Sequence, residues 1–154
     1  METRPEKAER FFKEGYNCAQ AVFMAYSDKY GIDEKTASRL AASFGGGMGR
    51  MREVCGAVSG MFLVAGMETG AEDGKDQAGK KHNYEVVQKL AEEYRRENGS
   101  IICRELLGLS KETPIVAKPE ERTKEYYKKR PCAELVRQAA QILEKTFFEN
   151  ETEE

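Results

Sequence analysis

Tryptophan is absent from this 154-residue chain, and histidine occurs once, as His82. No two of the four cysteines, Cys18, Cys55, Cys103 and Cys132, form a Cys-x-x-Cys pair. That absence removes the generic zinc-finger and thioredoxin signatures, in which short spacing holds two sulfurs together. An excess of charge of one sign is also missing: 25 basic residues face 27 acidic ones, a formal charge of -2. Without a global positive field, and without aromatics interleaved with lysines, nucleic acid is not expected as a partner. The basic run 124–130 includes Glu125 and reads as a solvated helix face. Long hydrophobic runs are lacking as well. The longest nearly apolar segment, 54–67, falls short of the ~20 residues of a membrane span, so no membrane insertion is expected. Glu2, Glu6, Glu9 and Glu14 interrupt the first 30 residues, which therefore do not resemble a signal peptide. A cytoplasmic location follows as the expectation. In such a reducing compartment the cysteines are expected to be reduced, metal-bound or transiently oxidised.

Alternating strand patterns are absent too, and helical periodicity is what is there. Over residues 5–28, Ala8, Phe11, Phe12, Ala19, Val22, Phe23 and Tyr26 form one 3.6-residue stripe, with Cys18 beside it. Asp33 caps a short helix reaching about residue 43. A glycine loop follows, Phe44-Gly45-Gly46-Gly47-Met48-Gly49-Arg50-Met51-Arg52. The segment of about 53–69 is apolar on all sides and is predicted to be a central helix, with Gly56 and Gly60 permitting close approach of a neighbour. A long helix is predicted to end at Asn98, with Ala78, His82, Val86, Val87, Leu90 and Tyr94 on one face and Gly99 as its cap. A short helix carries Cys103 behind Ser100 as N-cap, and the last helix begins at Pro131. The expected fold is all-α: one domain over 1–154, a bundle of five to six helices, with a frayed tail at 149–154.

The chemistry lies in where the cysteines fall. Cys55, Cys103 and Cys132 stand at predicted helix starts, where unpaired N–H groups and a partial positive charge favour a thiolate. Arg52, Arg104 and Arg130 add a cation near each. If the four sulfurs converge at one end of the bundle, two chemistries can use them. One is reversible disulfide formation; the other is four-thiolate ligation of zinc or an iron–sulfur cluster. Taken singly, each cysteine is equally consistent with a small core residue, so an interaction or structural protein with incidental cysteines stays open. The loop glycines Gly45, Gly46, Gly47 and Gly49 match neither a dinucleotide fingerprint nor a P-loop, and are expected to allow close backbone passage around the cysteine site. His82 and the methionines Met48, Met51, Met61 and Met67 read as face and packing residues rather than as a base and thioether ligands.

Three segments together carry a resemblance: Gly15-Tyr16-Asn17-Cys18-Ala19-Gln20-Ala21-Val22, the glycine loop, and Cys55-Gly56-Ala57-Val58-Ser59-Gly60, followed by isolated Cys103 and Cys132. Over roughly residues 8–145 the chain resembles the C-GCAxxG-C-C family of redox-active proteins. The resemblance implies a small, mostly helical protein whose four cysteines are its redox or metal-binding residues. The chain is thus expected to be a thiol-dependent oxidoreductase or an electron carrier. Its redox partner is not specified by the sequence, and association with a second copy of the chain is left open.

Overall fold

The computed structural model describes residues 1–149, and these form an all-α protein. Eight α-helices run in the order α1 (Arg4–Lys13), α2 (Cys18–Met24), α3 (Glu34–Ala41), α4 (Gly56–Thr69), α5 (Gln77–Asn98), α6 (Cys103–Leu106), α7 (Lys124–Lys129) and α8 (Cys132–Leu143). Short 3-10 turns follow α2 and α3, and a π turn, Glu144–Phe148, extends α8. The frayed tail expected at 149–154 lies, beyond Glu149, outside the described residues.

The helix count exceeds the expected five to six for a local reason. The stripe over residues 5–28 does not belong to one helix: Gly15 takes φ +110 and ends α1, and Asn17 then caps α2 by accepting from Gln20 N. The Gln20 side chain bonds back to Asn17 N at 2.9 Å, completing a capping box. The stripe survives the break because both helices press on one core, through Ala8, Phe11 and Phe12 from α1 and Ala19, Val22 and Phe23 from α2. Residues 124–129, read as a solvated face, make a helix of their own with Thr123 as N-cap.

At the centre α2 packs on α1, α3, α4 and α8. An alanine Cβ at Gly60 would lie 2.7 Å from Val22 Cβ, so the glycines of α4 do admit a neighbour, and the neighbour is α2. The expected central helix therefore shares its place. Residues 56–61 of α4 are buried, but Gly66, Met67 and Glu68 are exposed. Helix α5 ends at Gly99, which takes φ +85. Its second half buries Leu90, Ala91 and Tyr94 while Ala78 and His82 on the expected face are exposed, because α5 is about 12 Å longer than α4 at 1.5 Å per residue. Tyr26 locks α8 in place, its hydroxyl donating to Ala140 O at 3.1 Å.

Candidate functional site

A pocket of about 300 Å³ opens where the starts of α2, α4, α6 and α8 meet, and all four cysteines line it. Cys18 is the first residue of α2, Cys103 of α6 and Cys132 of α8, while Cys55 is the N-cap of α4. Two of these positions correct the sequence reading by a residue or more. Pro131 is the N-cap of α8 rather than its first residue, and Ser100 lies before the Ile102 cap, accepting from Ile102 N at 2.9 Å. The third correction is Cys18, expected mid-helix and found at a helix start, with the Asn17–Gln20 capping box as the overlooked signal.

Backbone pairing brings distant helix starts together. Val54 and Ile102 form one antiparallel bridge, with Cys55 N donating to Ile101 O at 2.7 Å and Cys103 N to Glu53 O at 2.6 Å. The glycine loop fits around this pairing. Gly47, at φ +73, leaves no room for a side chain: a Cβ there would sit 2.6 Å from Cys103 Cβ and 2.8 Å from Arg52 Cα. A Cβ on Gly45 would overlap the Asn17 side chain, and one on Gly56 would come within 3.1 Å of Cys18 Cβ. Gly46 and Gly49 take φ +64 and +58, and three non-glycine residues, Met48, Arg50 and Arg52, join them in the left-handed region. The loop therefore winds tightly against the cysteines themselves.

The four thiols have different surroundings. Cys18 and Cys132 are half-buried neighbours, each acting on the other's ionisation. The Cys18 thiol, with Arg130, Arg122 and Arg52, holds the Cys132 thiol below its ordinary range despite burial. The proton stays with Cys18, which the Cys132 sulfur and burial push well above its ordinary range. Cys103 is buried; desolvation pushes its thiol up while Arg52 Nη1, 3.6 Å from its sulfur, pulls the other way. Cys55 is buried too and lies 3.4 Å from the Tyr94 hydroxyl. Desolvation again raises it, against the Tyr94 hydrogen bond and the backbone N–H groups of Ala57 and Val58. On the pocket wall, burial pushes the Tyr126 hydroxyl up to about 12.

Of the arginines expected beside the cysteines, Arg130 acts on Cys132, whereas Arg52, expected at Cys55, reaches Cys103 instead. Arg104 does not serve Cys103. It is turned to the carbonyls of Ser110 and Thr113. Sequence reasoning missed Arg122, which no local pattern marks: its guanidinium lies 4.3 Å over the Phe12 ring and donates to Phe12 O and Tyr16 O, 110 and 106 residues away. Tyr94 was read only as a face residue of α5. His82 and the methionines stand outside the pocket lining.

Ligation of zinc or an iron–sulfur cluster requires at least three donors around one point. Among the described residues no group of three or more cysteine, histidine or carboxylate side chains is disposed to hold a metal ion. The arrangement is instead one pair of neighbouring thiols, Cys18 and Cys132, with Cys55 and Cys103 each engaged by a different neighbour. Compared with known proteins, residues 16–146 match a family described as "Putative redox-active protein (C_GCAxxG_C_C)". The chain belongs to that family. The match spans all four cysteines and the glycine loop, so the C_GCAxxG_C_C pattern and the pocket coincide. No curated protein and no solved structure matches the chain. No helix among the described residues is long and apolar enough to cross a membrane.

Proposed function

We propose that the chain is a dithiol–disulfide redox protein in which Cys132 is the attacking thiolate and Cys18 the resolving thiol. The observation that carries this reading is the meeting of Cys18 and Cys132, two helix-start thiols, in one pocket that Arg52, Arg122 and Arg130 also line, a setting that favours one thiolate beside one protonated thiol. The chemistry balances without a metal. Cys132 thiolate attacks one sulfur of a partner disulfide, forms a mixed disulfide and expels the first partner thiolate. Loss of the negative charge on Cys132 removes part of what kept Cys18 protonated, burial being the part that stays. Cys18 then attacks the Cys132 sulfur, its proton passing to the departing second partner sulfur, which leaves as a thiol, while the first partner thiolate takes a proton from solvent. Two electrons pass to the partner, and the protein is left with a Cys18–Cys132 disulfide, to be re-reduced by the thiols of a reducing cytoplasm. Cys55 and Cys103, held protonated by burial, stay out of the exchange.

The trapping test follows from the assigned roles. After exposure to a small neutral disulfide, Cys18→Ser should accumulate a mixed disulfide on Cys132, seen as the added mass of one disulfide half on the Cys132 peptide. Cys132→Ser should accumulate none on Cys18. Equal labelling of both variants would sink the assignment.

A further inference from the structure

The pocket around Cys132 holds more cations than one thiolate needs. Arg50, Arg52, Arg122 and Arg130 line it against a single carboxylate, Glu120, and the remaining wall includes Phe12, Leu106, Leu107 and Leu135. Its volume lies at the lower end of the range for small-molecule sites, ample for a short-chain ligand. The chain already places one carboxylate among these cations: Glu120 pairs with Arg130 and lies 3.6 Å from Arg50. Among the described residues Arg52 is the least occupied of the four, its one side-chain hydrogen bond being the weak one to Cys103 Sγ. Arg122 is committed to the walls through the Phe12 and Tyr16 carbonyls. Four guanidinium groups against Glu120 and the Cys132 thiolate leave an excess of positive charge beside an aliphatic wall, which suits a molecule with an anionic end, a short hydrocarbon arm and an electrophilic sulfur.

We propose that the pocket is a substrate site for small carboxylate-bearing disulfides, with Arg52 and Arg130 taking the carboxylate, Glu120 giving way to it, and Cys132 meeting the disulfide. The proposal rests on the dithiol reading and names its substrate. Net reaction is substrate disulfide plus the Cys18 and Cys132 thiols giving two small thiols plus the protein disulfide.

Binding and chemistry are tested separately. Suberate, the dicarboxylate in which two methylenes replace the sulfurs of 3,3′-dithiodipropionate, is titrated calorimetrically into the reduced protein. It should bind saturably, more tightly to Glu120→Gln, less tightly to Arg52→Gln, and with affinity largely restored in Arg52→Lys. Oxidation rates are then compared for anionic 3,3′-dithiodipropionate, neutral 2-hydroxyethyl disulfide and cationic cystamine, each divided by its rate with a small neutral thiol. The anionic disulfide should react about tenfold faster than the neutral one, the cationic one slowest, with the spread shrinking in high salt. Equal rates for all three, or no suberate binding, would overturn the pocket assignment alone. Failure of every disulfide to oxidise the pair would overturn the dithiol reading, and the substrate assignment with it.

Discussion

At the scale of single residues, the difference between four chemically equal thiols is set by who stands next to each. Cys132 has a thiol donor and three guanidinium groups; Cys55 has one phenol and a desolvating core. Iodoacetamide alkylation followed peptide by peptide across pH should therefore give Cys132 the lowest apparent pKa. Replacing Cys18 with alanine removes the largest stabiliser of the Cys132 thiolate and should shift its profile upward, whereas Arg130→Gln should shift it less. Tyr94→Phe offers the opposite control. It withdraws the hydroxyl 3.4 Å from Cys55 and should push that thiol further up, cost about 1 kcal/mol of stability, and leave the Cys132 profile in place. An unmoved Cys132 profile in Cys18→Ala would contradict the pairing.

At the scale of elements, the site is a meeting of helix starts, and the glycines decide how closely they meet. Gly47→Ala forces a Cβ into the left-handed region and against Cys103, so it should cost more than 1 kcal/mol and expose the Cys103 thiol to labelling. Gly49→Ala shares the positive φ but has only Ser43 O near, at 3.7 Å, so it should cost about 1 kcal/mol in a urea titration and spare Cys103. Asn17→Ala removes the cap that starts α2 at Cys18 and should cost about 1 kcal/mol. The starts carrying Cys55, Cys103 and Cys132 were legible because a glycine loop, a Ser100 turn and Pro131 announce them locally. Cys18 was not, since the apolar stripe runs unbroken across Gly15 and hides the break that Asn17 and Gln20 encode. Arg122 and the Cys18–Cys132 pairing join residues more than 100 apart, and such contacts leave no periodic trace in a sequence.

At the scale of the molecule, the thiols tie stability to pH. Cys18, Cys55 and Cys103 have raised folded values, so their contribution is complete below about pH 8.5, where unfolded thiols are protonated, and is lost as pH climbs through the folded values. Burial raises Tyr26, Tyr94 and Tyr126 in the same sense. Cys132 works the other way: its depressed value contributes stability above about pH 8.5, lost as pH falls through the folded value. Three thiols and three phenols outweigh one thiol. The urea midpoint should therefore drop between about pH 8 and pH 10.5, and Cys55→Ala should flatten that drop. Treatment with a chelator should leave both the midpoint and the reactivity of Cys132 unchanged, because no metal-holding donor group is formed among the described residues.

The central claim is that one pair among the four cysteines is the redox couple. A redox titration in buffers of graded thiol–disulfide ratio, quenched in acid, differentially alkylated and mapped by peptide mass spectrometry, addresses it without further assumption. The account predicts a single two-electron transition in which Cys18 and Cys132 lose their label together and appear as one cross-linked peptide pair, with Cys55 and Cys103 labelled throughout. A Cys55–Cys103 cross-link, a mixture of pairings, or four thiols that stay reduced across the whole range would contradict it.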